Sequence, residues 1–401
     1  MSLAAPVDSF ATVLADVAAR TSEEYGSDAD APPGGLVHLE RLPARDARFA
    51  EPSPPLRPAI RDRLGVGQLW THQVEAIDHA RAGRSVALAT GTASGKSLAY
   101  QALIGEAAGS SASDPTTALL LFPTKALAQD QLRSLTVLDF PGITPATYDG
   151  DCTPEERLWV RRHADALLTN PDMLHAGILP QHARWATFLR RLRYVVVDEL
   201  HVLRGIFGSH VAHVLRRLRR LCAHYGSDPT FVFTSATIGR PGELASALCG
   251  KPVVEVTNDG SPHGERLFAL WNPPMLDTET GVRASTNGQA ARLVAELVHT
   301  GHRTIAFARS RKGTELLAAD VCRRVPDHLA DQVRPYRAGY LSAERRQIEA
   351  ELFAGTLRGV VATTALELGI DVGGLDACVL TGFPGTIASM WQQAGRAGRE
   401  R

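Results

Sequence analysis

The sequence has 401 residues, enough for two or three domains with hydrophobic cores of their own. Apolar residues make up 44% and charged residues 21% of the chain, as in ordinary globular proteins, and no run of about 18 apolar residues predicts a membrane span. Basic and acidic residues both number 43, so no global excess of positive charge predicts a polyanion partner, although a local groove could still bind one.

The N-terminal residues and the cysteines indicate a compartment. Residues 1–10 lack a basic stretch followed by an apolar one, so no signal peptide is predicted. The five cysteines are scattered and form no C-x-x-C pair, which argues against a zinc site among them and favours reduced thiols. We therefore predict a cytoplasmic location, in a bacterial-type cytosol or associated with the nucleoid, and no membrane partner.

Residues 1–60 are predicted to be an accessory segment. Two loose stretches rich in proline, 26–35 and 51–58, predict irregular connections. Ahead of them, four apolar residues recur with helical spacing and predict one helix: Phe10, Val13, Leu14 and Val17. The sequence does not indicate what this segment does.

Residues 61–258 alternate between short apolar runs and helical patterns, which predicts an α/β domain with a parallel sheet. Five runs are nearly continuous in hydrophobicity and are followed by turn residues, as buried parallel strands are: 85–89, 118–122, 166–169, 194–197 and 231–234. Functional loops should then gather at the carboxyl ends of these strands.

A small-residue turn joins the strand 85–89 to a helical pattern. We call it the phosphate turn; its residues are Gly91, Thr92, Ala93, Ser94, Gly95, Lys96 and Ser97. Backbone N–H groups in such a turn cradle phosphate oxygens, a lysine meets the phosphates and a serine ligates Mg²⁺. The P-loop pattern is incomplete, because Thr90 stands where its first glycine belongs. An ordinary strand–turn–helix with a surface lysine is the alternative.

Two carboxylates, Asp198 and Glu199, follow the strand 194–197. Asp198 is suited to hold Mg²⁺ through a water molecule, and Glu199 is suited to orient or deprotonate the attacking water. Two solvated acids at a strand end are the alternative, but their position after a phosphate turn favours a magnesium–nucleotide site. His201 either links this site to another motif or is a hydrogen-bonded histidine at a helix start.

Residues 265–401 predict a second α/β domain after a linker around 258–264. A helix is predicted from Ser342 to about residue 353, with Gly355 ending it. The predicted strands of this domain are 267–271, 304–307, 359–363 and 377–381.

The order of these motifs and of several others resembles the superfamily 2 helicases of the DExH type over residues 60–401. The resemblance implies an α/β fold with two tandem RecA-like domains, preceded here by the accessory segment. It also implies that Gln73 reads the adenine of ATP and that His201, Ser235 and Thr237 couple hydrolysis to domain motion. The implied nucleic-acid contacts are Pro123, Thr124, Lys125, Asn170, Arg309, Ser310, Thr363 and Thr364.

The resemblance also supplies the rest of the ATP site. Arg396 and Arg399 would be arginine fingers on the γ-phosphate, and Asp371 and Gln392 would join the phosphate turn in binding ATP. Mg²⁺ would lie at Ser97 and Asp198. The implied catalytic set is Lys96, Asp198, Glu199, Arg396 and Arg399.

Finer features resemble the SftH/Hrq/MrfA group, which is related to RecQ helicases. They are Asp-Glu-Leu-His at 198–201, Tyr-Asp-Gly-Asp at 148–151, and the segments 336–340 and 382–386. The resemblance implies a DNA-stimulated ATPase that uses ATP and Mg²⁺ and moves 3′ to 5′ on single-stranded or tailed DNA in repair. An RNA helicase and a non-catalytic nucleic-acid clamp are the alternatives. The group carries a cysteine-bearing C-terminal region that is absent here, so we expect the sequence to be a truncated one.

Overall fold

The computed structural model describes residues 7–25, 35–108, 116–277, 279–367 and 374–398. The chain forms two compact units. The central unit contains Ala47–Ser261, and the split unit contains Met1–Asp46 together with Pro262–Arg401. The segment predicted to be accessory is therefore divided, with its first part in the split unit and residues 47–60 in the central unit.

The N-terminal elements, α1 (Val7–Tyr25) and β1 (Gly35–Leu42), are part of the core of the split unit. Val13 and Val17 of α1 are buried in a cluster with Leu293 and Leu297. Strand β1 pairs antiparallel with residues 266–272 over most of its length. The segment is held by the apolar face of α1, which the helical spacing indicates, and by the backbone pairing of β1, which no local sequence pattern indicates.

Shortening Val17 to alanine tests this packing. Val17 is 1% exposed, so Val17→Ala is expected to lower the free energy of unfolding by about 2 kcal/mol through lost burial and a residual cavity. Denaturant titration measures the loss. The control is Val37→Ala in β1, where the side chain is 45% exposed and a change below about 0.5 kcal/mol is expected. Equal effects of the two changes would show that α1 is not packed as described.

The central unit is built on a seven-stranded sheet in which every pair is parallel. The strands of this unit are β2 (Phe49–Ala50), β3 (Leu69–Trp70), β4 (Ser85–Ala89), β5 (Thr117–Leu121), β6 (Pro145–Thr147), β7 (Ala166–Thr169), β8 (Leu192–Val197), β9 (Thr230–Ser235) and β10 (Val253–Val256). The sheet order is β10-β4-β9-β8-β5-β7-β6, and β2 pairs with β3 separately. Strands β4, β5 and β7 are buried along their whole length, which explains their continuous hydrophobicity.

Helices connect these strands and cover the sheet. They are α2 (Pro58–Leu64), α3 (Thr71–Arg81), α4 (Lys96–Ala108), α5 (Lys125–Leu138), α6 (Pro154–His163), α7 (Pro171–Met173), α8 (Ala186–Arg190), α9 (Gly205–Tyr225) and α10 (Pro241–Cys249). Helix α9 buries Val211, Leu215, Leu218 and Cys222 along one face, as an amphipathic helix does. The core of the unit forms where such faces meet the sheet.

The split unit contains a four-stranded parallel sheet in the order β15-β16-β14-β17. Its later strands are β11 (Arg266–Asn272), β12 (Met275–Asp277), β13 (Val282–Arg283), β14 (Thr304–Phe307), β15 (Val333–Tyr336), β16 (Gly359–Ala362) and β17 (Ala377–Leu380). Its later helices are α11 (Thr286–His299), α12 (Arg311–Arg324), α13 (Asp327–Ala330), α14 (Ser342–Phe353) and α15 (Ile387–Ala394). Strand β11 lies outside the parallel sheet, because its partner is β1.

The α/β fold class with two parallel sheets is confirmed. Within the described ranges, none of the helices combines the length and the apolar character that crossing a membrane requires.

Candidate active site

The motif residues of the central unit meet at one edge of its sheet. The phosphate turn follows β4, Asp198 follows β8, and β9 between them ends at Ser235. The segment 123–125 follows β5, and Asn170 follows β7. Because all these strands are parallel and adjacent, their carboxyl ends bring the predicted residues together.

The phosphate turn is closed by its own side chains. The Lys96 ammonium donates to the Gly91 carbonyl at 2.6 Å, and the Ser94 hydroxyl donates to the same oxygen at 2.8 Å. Ala93 has a φ of 58°, a left-handed conformation that costs a residue with a Cβ about 1–2 kcal/mol. Gly95 has a φ of 60°, and a Cβ there would approach the Gln73 amide nitrogen to 2.7 Å. Glycine is therefore required at 95 by conformation and by space.

Gln73 lies beneath the phosphate turn and is only 3% exposed. Its amide nitrogen donates to the Gly95 carbonyl at 2.9 Å, and its amide oxygen accepts from the Trp70 N–H at 2.9 Å. The side chain thus fixes the turn against the start of α3. Its predicted contact with adenine stays a prediction.

Asp198 is partly buried and is hydrogen-bonded on one oxygen. Its Oδ1 accepts from the Thr234 hydroxyl and from the Glu199 N–H, the latter at 2.9 Å. Burial raises the pKa of Asp198 above its ordinary value, while the Thr234 hydroxyl, the Glu199 N–H and the Lys96 charge lower it. The influence of Lys96 on this pKa places the lysine and the carboxylate in one electrostatic environment.

Glu199 and His201 lie side by side. The backbone of Glu199 is left-handed, with a φ of 55°, and its Oε2 lies 3.3 Å from His201 Nδ1. A carboxylate held at a strained turn next to an imidazole is the arrangement expected at a functional site.

Sequence reasoning missed Thr234. It selected Ser235 and Thr237 from the segment Thr-Ser-Ala-Thr at 234–237, but the donor to Asp198 is Thr234. Ser235 is fully buried and Thr237 is exposed. Adjacency of β9 and β8, which only the sheet order reveals, brings Thr234 to the carboxylate.

The predicted nucleic-acid residues of the central unit cap helices at this edge. Pro123 is partly exposed and Thr124 is exposed; the Thr124 hydroxyl accepts from the Leu127 N–H at 3.3 Å. Asn170 caps α7 through an oxygen that accepts from the Met173 N–H at 2.8 Å. The exposed Lys125 forms an ion pair with Asp151 at 2.7 Å.

The corresponding residues of the split unit follow β14 and β16. Arg309, Ser310 and Thr364 are exposed, and Thr363 is partly exposed. The Ser310 hydroxyl caps α12 by accepting from the Gly313 N–H at 3.0 Å. These side chains follow the carboxyl ends of β14 and β16, so they lie at the carboxyl edge of this sheet.

Residues near the end of the split unit, among them Arg396, are hydrogen-bonded to Glu367. Glu367 was not predicted from the sequence as a site residue. The Glu367 carbonyl accepts from the buried Arg396, and its carboxylate accepts from Gln393 at 2.8 Å and Ser389 at 2.6 Å. Gln392 is 3% exposed. The predicted residues Asp371 and Arg399 lie outside the described residues.

The residues predicted to hold Mg²⁺ suit that ion chemically. Ser97 supplies a hydroxyl oxygen near the start of α4, and Asp198 supplies a carboxylate, both hard oxygen donors of the kind Mg²⁺ prefers. Across the part of the chain that the structure describes, no cluster of three or more histidine, cysteine, aspartate or glutamate side chains is placed to hold a metal by itself.

Two family models match the chain. The DEAD/DEAH box helicase model matches residues 70–244, and the Helicase conserved C-terminal domain model matches residues 288–401. The first match contains the phosphate turn and the carboxylate pair, and the second contains the predicted motif residues of the split unit from Arg309 to Arg399.

Similar curated proteins include the uncharacterized ATP-dependent helicase YprA of Bacillus subtilis, which is 45% identical over 376 residues. That alignment covers 91% of this chain and 49% of YprA. ATP-dependent helicase HRQ1 of Saccharomyces cerevisiae is 42% identical over 378 residues, covering 91% of this chain and 35% of HRQ1. The chain therefore spans about half the length of the first relative and about a third of the second.

Similar solved structures include the DUF1998 helicase MrfA bound to DNA and AMPPNP. It has a TM-score of 0.85 and 41% identity, and the match covers 97% of this chain and 54% of that chain. The helicase Lhr of Mycobacterium smegmatis, bound to single-stranded DNA and AMP-PNP, has a TM-score of 0.68 and 27% identity. That match covers 88% of this chain and 47% of that chain.

Proposed function

Because the chain belongs to the superfamily 2 DExH-box helicases and resembles their MrfA and Hrq group, we propose that it is an ATP-dependent DNA helicase or translocase. Each of its two units contains a parallel sheet, as the RecA-like fold class of this family requires. The observation that carries the proposal is the convergence of Lys96, Asp198 and Glu199 at the carboxyl edge of one sheet. The matched MrfA and Lhr structures are bound to DNA, which favours DNA over the RNA alternative.

The central unit supplies the groups for hydrolysis. Lys96 exchanges the Gly91 carbonyl for phosphate oxygens, and the backbone of the phosphate turn holds the remaining charge. Ser97 and Asp198 would hold Mg²⁺, which would neutralise further phosphate charge. Thr234 keeps Asp198 oriented, and Glu199 orients or deprotonates the attacking water.

The other site residues take the roles that the family resemblance implies. Gln73, Asp371 and Gln392 help to bind ATP, and Arg396 and Arg399 stabilise the charge that develops on the γ-phosphate. His201, Ser235 and Thr237 couple hydrolysis to domain motion. The Glu367 carbonyl fixes the position of Arg396 within the split unit.

We propose that polar residues after the strands of both units hold a DNA strand by its phosphates. Thr124, Lys125 and Asn170 serve in the central unit, with Pro123 shaping the same loop; Arg309, Ser310, Thr363 and Thr364 serve in the split unit. Contacts to phosphates carry little sequence preference and weaken with salt. Movement 3′ to 5′, a role in repair, and a site of action in the cytosol or at the nucleoid are parts of the same proposal.

Single-stranded DNA and RNA of equal length and sequence distinguish the candidates. DNA is expected to stimulate ATP hydrolysis by at least about tenfold and RNA by much less, because the 2′-hydroxyl of ribose lets a protein distinguish RNA from DNA even where both are held by their phosphates. DNA affinity is expected to fall steeply as salt increases. Equal stimulation by RNA would favour the RNA helicase, and binding without stimulated hydrolysis would favour a nucleic-acid clamp.

Replacing Thr234 by valine tests how Asp198 is held. Thr234→Val keeps the shape but removes a donor that lowers the pKa of Asp198, so this pKa rises. As pH falls, ionised Asp198 is then lost sooner, and the acidic limb of the hydrolysis–pH profile is expected to shift to higher pH. Thr136→Val, which removes an exposed hydroxyl on α5, is the control. If the hydrolysis–pH profiles of Thr234→Val and of the unaltered protein coincide, Thr234 has no role in the mechanism.

A further inference from the structure

Residues 258–261, which the sequence marked only as a linker, form a strap against the phosphate turn. The Asp259 carboxylate accepts from the Gly91 N–H through Oδ2 at 3.2 Å. Its other oxygen accepts from the Ser261 N–H at 2.9 Å and from the Ser261 hydroxyl at 2.7 Å. Both oxygens of the Asp259 carboxylate therefore accept hydrogen bonds. One accepts from the phosphate turn, and the other accepts from the strap itself.

His72 joins the strap to the turn a second time. It is fully buried. Its Nδ1 accepts from the Gly260 N–H at 3.0 Å, so the proton lies on Nε2, which donates to the Ser94 carbonyl at 2.8 Å. One neutral tautomer thus satisfies a backbone donor of the strap and a backbone acceptor of the turn.

The strap has little room to move without breaking these contacts. A Cβ on Gly260 would lie 2.2 Å from the Thr71 hydroxyl and 3.0 Å from the Arg48 carbonyl. The Arg48 N–H donates to the Gly260 carbonyl at 2.9 Å, and its guanidinium donates to the Asp259 carbonyl at 2.8 Å. The strap backbone is therefore clamped on one side by residue 48 and on the other by His72.

Gly91 is the point where the strap and the catalytic lysine meet. Its N–H donates to Asp259, while its carbonyl accepts from the Lys96 ammonium at 2.6 Å. Lys96 also donates to the Thr90 carbonyl at 3.3 Å, and that carbonyl belongs to the same peptide as the Gly91 N–H that Asp259 holds. When Lys96 turns to a phosphate, this peptide loses its cationic partner. Ser261 is the last residue of the central unit, so the strap is also where the chain leaves for the split unit.

We propose that the 258–261 strap senses the nucleotide, with Asp259 and His72 as positioning residues that hold the phosphate turn and respond when Lys96 leaves Gly91. The proposal rests on the proposed function, since it needs a nucleotide at the turn. In this proposal the connecting segment changes when a nucleotide binds at the phosphate turn, and the change passes along the chain toward the split unit. Contact alone does not establish coupling, so the test measures a response.

The first test measures amide hydrogen exchange on the unaltered chain, with and without a non-hydrolysable ATP analogue. It shows whether the strap responds when the nucleotide binds. The reporting amides are those of Gly91, Gly260 and Ser261. Exchange at the strap is expected to change by about tenfold together with exchange at the turn, the size expected when one hydrogen bond to a charged group is made or lost. Altered exchange at 91–97 with none at 258–261 would overturn the strap proposal alone. No change at the turn would overturn nucleotide binding there as well.

Asp259→Asn provides an independent test. Asparagine has one acceptor oxygen where aspartate has two, so it cannot accept from both the Gly91 N–H and the Ser261 N–H, and KM for ATP is expected to rise about tenfold with a smaller change in kcat. The strap is also expected to lose its exchange response to the analogue. Asp139→Asn is the matched control, because Asp139 lies in the same unit and is 82% exposed in an ion pair with Arg63. Identical behaviour of the two variants would refute the role of Asp259.

Discussion

Replacing Glu199 by glutamine is expected to reduce DNA-stimulated ATP hydrolysis by about two to four orders of magnitude. Glutamine keeps the size of the side chain but cannot accept a proton, so the attacking water loses its base. Nucleotide affinity should change little, because the phosphate turn and Lys96 remain in place. Steady-state hydrolysis at saturating ATP and DNA, with direct titration of an ATP analogue, separates the two effects.

Glu243→Gln is the control for this change. Glu243 is an exposed acid in α10 that pairs with Arg240 at 3.3 Å, and its loss should leave hydrolysis unchanged. Retained turnover in Glu199→Gln would mean that another group activates the water. Loss of analogue binding in that variant would mean instead that Glu199 supports the nucleotide site.

Replacing Lys96 by alanine is expected to weaken ATP binding by about one to two orders of magnitude and to reduce hydrolysis by at least about two. The change removes the only lysine of the phosphate turn, whose ammonium now caps the Gly91 and Thr90 carbonyls at 2.6 and 3.3 Å. Those carbonyls would then face the phosphates without a cation between them. Calorimetric titration with an ATP analogue and steady-state hydrolysis measure the two losses.

Lys251→Ala is the matched control for Lys96. Lys251 precedes β10, so it lies at the amino edge of the parallel sheet, where no predicted site residue is found. This variant should bind and hydrolyse ATP as the unaltered protein does. Unchanged ATP affinity in Lys96→Ala would show that the turn at 91–97 is not a phosphate site.

The parallel strands were predictable, whereas several partners of the site residues were not. Strand β4 has the predicted bounds, because full burial on both faces leaves a continuous apolar run in the sequence. No comparable sequence pattern identifies the roles of Thr234 and Asp259. Each acts on a residue distant in the sequence, Thr234 on Asp198 and Asp259 on Gly91, so its role follows from the sheet order and the path of the chain.

The N-terminal region illustrates the same limit. The helical spacing of its apolar residues predicted α1, which runs from Val7 to Tyr25. Nothing in that spacing identifies Leu293 and Leu297 as the surface that α1 covers. An amphipathic pattern states that a face is buried, but the partner is chosen by tertiary packing.

The pairing of β1 with β11 has a consequence for biosynthesis. Strand β1 emerges from the ribosome roughly two hundred residues ahead of its partner, a delay of about ten seconds or more at ordinary elongation rates. Throughout that interval Leu293 and Leu297, against which Val13 and Val17 of α1 pack, have not been made, while the intervening sheet can already complete its own core. Residues 7–25 must therefore be kept from aggregating until α11 has been made, which makes α1 a natural point for chaperones to engage during translation.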